Sequence, residues 1–349
     1  MPLTLRVDGP RWRDHLRHVA EEFGAPGQSV VPVTKGNGYG LGLASLARRA
    51  DWLGVGTVAA GAYHEVSGLL SRFGGDVLVL SPWRPFLTDV PPDDRVVHTL
   101  GRLVDLETLA ETRPGSRVVV ETLTSMSRHG LGRHELAAAA DMIRTGRLLL
   151  EGMALHLPLA GDHEQEAEEW AAVLAASRLD TATLWVSHLD AAQVERLRNR
   201  RAGLVVRPRV GTALWLGDRG ALQVRATVLD RHPVSRGQRV GYRQRRLPAT
   251  GTLLVVAGGT SHGIGLEAPT GGSSLRLRAV ALARGGLEAA GFALSPFSVD
   301  GRRRWFVEPP HMQVSLLFVP GGVAVPSVGD EIDVDVRFTT TTFDRVVLT

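Results

Sequence analysis

One residue of this chain can offer a side-chain primary amine. Lysine and arginine together occupy 40 of the 349 positions, and only Lys35 is a lysine. Either type supplies positive charge. A guanidinium, however, stays protonated and cannot condense with a carbonyl, whereas a desolvated lysine can form a Schiff base. The exception therefore points to amine chemistry at position 35. Its setting agrees: the apolar run Val30-Val31-Pro32-Val33-Thr34 closes on Lys35, and the turn Gly36-Asn37-Gly38-Tyr39-Gly40 leads into a helical segment at 43–50. A short β-branched run stopped by glycine reads as a buried strand. Lys35 then stands at a strand's carboxyl end, where barrel enzymes carry their reactive groups. It is not a phosphate-binding P-loop, because the lysine precedes the glycines and no Gly-Lys-Ser/Thr follows.

Other chemistries are narrowed by composition. The chain has no cysteine, which excludes disulfides, thiolate metal sites and a cysteine nucleophile. His262 and His311 stand without an obvious carboxylate at ligand spacing, so no metal is expected. The net charge of +4 comes without a basic stripe interleaved with aromatics. Arg243, Arg245 and Arg246, and the run Arg302-Arg303-Arg304, read as solvated loops, and no nucleic-acid partner is expected. Residues 1–12 lack the long apolar segment of a signal peptide, and no window reaches the length of a membrane span. A soluble cytoplasmic protein that engages no membrane is the expectation.

The elements that must position Lys35 follow from periodicity. Strand signals at 30–33, 57–60, 77–80, 96–99, 117–121, 150–155, 183–186 and 204–207 alternate with helical patterns at 103–111, 135–145, 164–177 and 191–200. Eight such alternations fit a (β/α)8 barrel of the TIM type, with a doubly wound sheet as the alternative. After Asp218-Arg219-Gly220 the texture becomes all-β. Strands are expected at 222–229, 253–256, 275–282, 304–307, 314–319 and 332–338, with turns at Gly258-Gly259, Gly271-Gly272, Gly285-Gly286 and Gly321-Gly322. The expected domains are 1–220, the barrel, and 221–349, the β-strand domain.

Lys35-Gly36-Asn37-Gly38-Tyr39-Gly40 resembles the cofactor-lysine motif of the alanine racemase family. The resemblance runs over nearly the whole chain, and it implies a barrel followed by a β domain. It also implies pyridoxal 5'-phosphate on Lys35, an amino acid or derivative as substrate, and a homodimer with shared active sites. Further matches come in order. Ser125-Met126-Ser127-Arg128-His129-Gly130 is similar to the element whose Arg meets the substrate carboxylate and cofactor surroundings, which implies that role for Arg128. Gly152-Met153-Ala154-Leu155-His156 resembles the segment whose His packs on the pyridine ring. Arg209-Val210-Gly211-Thr212-Ala213-Leu214-Trp215 implies Arg209 opposite the pyridine nitrogen and the Gly211 and Thr212 amides on the phosphate, although Arg207 two residues earlier leaves that register open. Tyr39 is implied as a phosphate contact. Ser187 follows the seventh strand, where barrels of this type bind phosphate. His311-Met312 resembles the segment that the β domain lends to the neighbouring subunit, which implies Met312 as a substrate contact.

The family's second base, a tyrosine of the β domain, has no counterpart. The corresponding stretch runs from Val256 to Gly265 without a tyrosine, and the chain's three tyrosines stand at 39, 63 and 242. A late tyrosine on the phosphate is also missing, with Phe343 nearby, and Trp215 replaces another. His262 is a candidate second base, since imidazole titrates in the right range. Tyr242 is another, in what reads as a turn flank. Without either, the chemistry would be one-faced, as in a lyase or decarboxylase, or the protein would bind cofactor without turnover. Arg209 weighs toward reversible proton abstraction, because a cation opposite the pyridine nitrogen weakens the ring as an electron sink.

Overall fold

A computed structural model describes residues 2–24, 30–266 and 293–349. The chain separates into two compact units, one of Arg13–Gly38 with Gly42–Gly217, the other of Met1–Trp12, Tyr39–Leu41 and Asp218–Thr349. The expected strand at 275–282 and the turns Gly271-Gly272 and Gly285-Gly286 lie outside the described residues. In chain order the strands begin with β1 (Leu3–Val7), which belongs to the second unit, and continue with the eight of the first: β2 (Val31–Thr34), β3 (Thr57–Ala60), β4 (Asp76–Val79), β5 (Val96–Leu100), β6 (Arg117–Thr122), β7 (Leu149–Leu155), β8 (Thr183–Ser187) and β9 (Val205–Val210).

Strands β2 to β9 are parallel and close into a barrel, as the eightfold alternation anticipates. Closure is carried by β9 pairing back onto β2, with Val31 opposite Arg209. The barrel interior is filled by Val31, Val33, Ala59, Leu78, Val97, Val119, Ala154 and Trp185. Parallel strands covered on both faces need near-continuous apolar runs, which is why β2 and β3 are buried at every position. Small residues at 59 and 154 leave the room that the Trp185 indole fills, and its Nε1 donates to the Glu151 carbonyl at 3.1 Å. Amphipathic helices such as Leu43–Trp52 and Leu136–Thr145 turn their buried positions, Leu46 and Ala50, Leu136 and Ile143, onto the strands.

One buried polar pair sits in the barrel wall. The Tyr63 hydroxyl meets His98 Nδ1 at 2.8 Å, and both side chains are buried. Burial lowers the His98 pKa to about 4, with the Arg113 charge adding to the effect. An unfolded histidine titrates near 6.5, so between about pH 6.5 and pH 4 the unfolded chain holds a proton that the native one does not. Stability is therefore lost as pH falls through that window, by about 3 kcal/mol from this group. Urea unfolding at pH 7 and pH 4 is expected to show a smaller acid loss in His98→Gln than in the unchanged protein. An equal loss in both would remove His98 from the account.

Among the described residues, the β unit contains β1 and nine later strands: β10 (Leu222–Val234), β11 (Arg239–Val240), β12 (Arg245–Arg246), β13 (Gly251–Ala257), β14 (Leu294–Val299), β15 (Arg302–Phe306), β16 (Val314–Pro320), β17 (Glu331–Val334) and β18 (Arg345–Leu348). Its main sheet runs β13-β16-β15-β14-β17-β10-β1-β18, and β10 also pairs with β13. The long β10 makes this possible: residues 225–227 face β17 and residues 228–234 face β13. All pairings are antiparallel except β1 with β18. Residues 1–12, which the sequence reading groups with the barrel, lie in this unit. Leu3, Leu5 and Val7 are fully buried, with Leu5 opposite Val224 of β10.

Candidate active site

The carboxyl ends of the barrel strands gather most of the residues singled out from the sequence. Lys35 directly follows β2, Arg128 lies in the loop after β6, and His156 is the residue after β7. Ser187 ends β8, Arg209 is the penultimate residue of β9, and Gly211 and Thr212 open the short helix Thr212–Leu216. The charges of this group act on one another. The Lys35 side chain is exposed, yet its pKa is lowered, first by desolvation around the amine and then by the Arg128 and Arg209 charges, against an opposing contribution from Glu65. His156 is half-buried, and its pKa is lowered to about 3 by burial, then Arg128, Arg209, His188 and Lys35. It is therefore a neutral imidazole at working pH. Its ring meets that of His188 edge to face, with centroids 5.5 Å apart.

The loop that carries Arg128 is tied at both ends. Leu131 N–H donates to the Glu121 carbonyl at 2.8 Å, and Leu123 N–H donates to the Leu131 carbonyl at 2.9 Å. The Ser125 N–H and hydroxyl both donate to Glu166, each at 2.6 Å. The return is possible because residue 130 is glycine. Its φ is +132°, and a Cβ there would lie 2.1 Å from the Thr122 carbonyl carbon. Arg128 itself is exposed and makes no hydrogen bond or ion pair among the described residues. An anchored loop thus presents an uncommitted guanidinium, a group suited to a carboxylate.

Arg209 is the reverse case. Only 6 % of it is exposed, and Nη2 donates to the Leu155 carbonyl at 2.7 Å. Its Nε is buried with no hydrogen-bond partner among the described residues. A buried donor left unsatisfied is costly, so this atom calls for an acceptor that the protein does not itself supply. Arg207 turns to the other end of the barrel. It donates to Thr57 Oγ1 at 2.8 Å, at the start of β3, and lies over the Trp185 ring at 4.1 Å. Of the two arginines, Arg209 is the one at the carboxyl ends of the strands. The Ser187 hydroxyl accepts from Leu157 N–H at 3.1 Å, so it is already used in joining β7 to β8. The first-turn amides at Gly211 and Thr212 have no intrahelical acceptor.

Two carboxylates of the barrel escaped the sequence reading. Glu65 is buried and accepts from the Gly36 and Gly61 amides at 2.6 Å each, and from the Ala62 amide at 3.2 Å. Glu121, next to last in β6, is 2 % exposed and takes no hydrogen bond on its carboxylate among the described residues. Burial raises its pKa, while the charges of Arg209, Arg128 and Arg84 oppose the rise. Its signal in the sequence was a charged residue directly after the apolar run Val118-Val119-Val120.

Tyr39, His262 and Met312 belong to the β unit. Tyr39 is buried with a left-handed backbone, φ 55°. Met312 is 74 % exposed. His262 was expected as a second base, but both its ring nitrogens are engaged. Nδ1 accepts from the Gly259 amide at 3.2 Å, and Nε2 meets Asp344 Oδ1 at 3.1 Å. With the ring buried, no lone pair is left for a substrate, and His262 is not carried forward as a base. His311 also has a carboxylate, since its Nε2 lies 2.7 Å from the buried Glu308. The exposed Tyr242 ring packs on His311 at 4.8 Å. The His262–Asp344 pair is not apparent from residue spacing, since its members lie 82 positions apart. Among the described residues, no group of three potential metal ligands occurs and no helix is long and apolar enough to cross a membrane.

The model of the family described as alanine racemase, N-terminal domain, matches residues 7–217. A curated relative, alanine racemase of Nitratiruptor sp., is 26 % identical over 165 residues, 46 % of each chain. The chain thus spans about half the length of the curated relatives it matches. Among solved structures, an alanine racemase from Bartonella henselae with covalently bound pyridoxal phosphate aligns with TM-score 0.70 at 16 % identity, covering 99 % of this chain and 100 % of that one. A histidine racemase from Leuconostoc mesenteroides subsp. sake aligns with TM-score 0.63 at 18 % identity, covering 95 % and 87 %. These two likenesses establish a shared fold.

Proposed function

We propose, from the premise that this chain belongs to the alanine racemase N-terminal domain family, that it is a pyridoxal-phosphate-dependent racemase or epimerase acting at the α-carbon of an amino acid or a derivative. The observation that carries the reading is the convergence of Lys35, Arg128 and Arg209 at one end of the barrel, with the buried Arg209 Nε lacking an acceptor. The residues present fit the cofactor. Lys35 would hold its aldehyde, Arg209 would offer Nε to the ring nitrogen, and His156 would lie against the ring. The Gly211 and Thr212 amides would receive the phosphate. When bound, this cofactor supplies an electron sink for charge developing at the α-carbon.

The chain's own residues do the rest. Lys35, once its amine is free, takes and returns the α-proton on one face. Its lowered pKa leaves more neutral amine available at a given pH than an ordinary lysine would have. Arg128 binds the substrate carboxylate and fixes the α-carbon in place. His156 stays neutral and adds no competing proton. The Arg209 cation disfavours a proton on the ring nitrogen, which supports reversible proton transfer over decarboxylation. A cytoplasmic homodimer is part of the reading, with Met312 supplied to the substrate by a second copy.

One observation favours a second reading. His262 has no open ring nitrogen, so one-faced chemistry, as in a lyase, is the alternative. Incubation of the pyridoxal-phosphate-loaded protein with an amino-acid panel that includes histidine, in heavy water, separates the two. Deuterium at the α-carbon with inversion, read by mass spectrometry and chiral separation, is the expected result. Exchange with retention would turn the assignment to one-faced proton transfer. No exchange with any candidate would overturn the racemase reading in favour of a lyase, distinguished by product mass, or of a cofactor binder without turnover.

A further inference from the structure

Lys35 is exposed and its amine is free to react, so something other than its own packing must hold it. The backbone on its carboxyl side is held by Glu65. One carboxylate oxygen accepts the Gly36 N–H at 2.6 Å, and the other accepts the Gly61 N–H at 2.6 Å and the Ala62 N–H at 3.2 Å. Both oxygens are used, and the carboxylate thereby bridges the end of β2 to the turn after β3. Hydrogen bonds from amides to an ionised carboxylate are among the stronger ones. The side chain is only 7 % exposed, so water competes poorly for them. The turn also presses directly on the lysine: a Cβ at Gly61 would lie 2.8 Å from Lys35 Cβ and 3.1 Å from Glu65 Oε2. Glycine at 61 lets the turn, the carboxylate and the lysine stem share this space.

We propose that Glu65 is the positioning residue of Lys35, holding the backbone at Gly36 with one oxygen and the turn at Gly61 and Ala62 with the other, and standing as the opposing charge beside an amine otherwise faced by Arg128 and Arg209. This rests on the assignment of Lys35 as the cofactor lysine. Glu65 touches neither cofactor nor substrate in this account and acts only through Lys35. The direction of its charge effect agrees, since it opposes the desolvation and the two arginines that lower the Lys35 pKa.

The single lysine makes the test direct. Reductive methylation with formaldehyde and cyanoborohydride labels Lys35 and the N-terminal amine, which peptide mass spectrometry resolves. Labelling against pH is compared in the unchanged protein, Glu65→Gln and Glu65→Asp, with thermal unfolding as the check on folding. Gln keeps the shape but loses the charge and one acceptor, so its half-labelling pH is expected to move down. Asp keeps the charge and loses reach, so its labelling profile is expected to stay. Its loading with pyridoxal phosphate is expected to slow by up to about 10²-fold, as misplacement of a reacting group by an ångström does. A labelling profile in Glu65→Gln that coincides with the unchanged protein's overturns the proposal. Should Glu65→Gln not fold, unchanged loading in Glu65→Asp overturns it instead. If the unchanged protein labels at Lys35 but takes up no pyridoxal phosphate, the functional reading fails while the labelling comparison still decides the role of Glu65.

Discussion

Lys35→Ala is expected to abolish stable loading with pyridoxal phosphate and to lower α-proton exchange by at least about 10²–10⁴-fold, the range supplied by a positioned acid–base group. Lys35→Arg is expected to do no better. The guanidinium keeps the positive charge of the site but neither condenses with an aldehyde nor gives up a proton at working pH. This second variant separates amine chemistry from electrostatics. If charge were all that position 35 contributed, arginine would restore much of the activity, as it stands at every other basic position of the chain. Loading is followed by visible absorption after gel filtration, and exchange by mass spectrometry in heavy water. Exchange in Lys35→Arg within a few-fold of the unchanged protein would remove Lys35 from the proton transfer.

The second large effect concerns stability. Trp215 is fully buried, and its Nε1 donates to the Val33 carbonyl at 2.8 Å. It thus ties the helix after β9 to β2, two residues before Lys35, at the place where the barrel closes. Trp215→Ala is expected to cost about 3–5 kcal/mol through the cavity it leaves. That is a large part of the roughly 5–15 kcal/mol that usually separates folded from unfolded protein. Trp215→Phe keeps most of the ring but takes the donor from Val33, and about 1–3 kcal/mol is expected. Urea unfolding followed by circular dichroism measures both. A cost below about 1 kcal/mol for the alanine variant would mean that the barrel seam collapses to fill the space, and that Trp215 does not brace it.

Much of this protein is determined by short-range pattern. The run 30–34 closing on Lys35, the alternation of strands and helices to residue 217, and the loop Ser125–Gly130 with its obligatory glycine are all set within a few tens of residues. Hydrophobic periodicity and glycine geometry act at that range, so they are legible without a structure. The position of Lys35 at a strand end and of Arg128 in the loop after a strand follows from the same pattern. Tertiary structure decided what depends on residues far apart in the chain. Leu3–Val7 reads as an ordinary apolar stretch, and its place in the β unit exists only because β10 and β18, more than 200 residues away, offer it two edges. Arg207 and Arg209 look alike in sequence, and only the barrel shows one bonded to Thr57 and the other buried with an open Nε. Glu65 and Glu121 are unremarkable carboxylates until folding removes their water and sets them beside Lys35 and the arginines. His262, a plausible base by residue type, lost that reading to Gly259 and Asp344, because the lone pairs of an imidazole are spent on whichever partners folding brings to them.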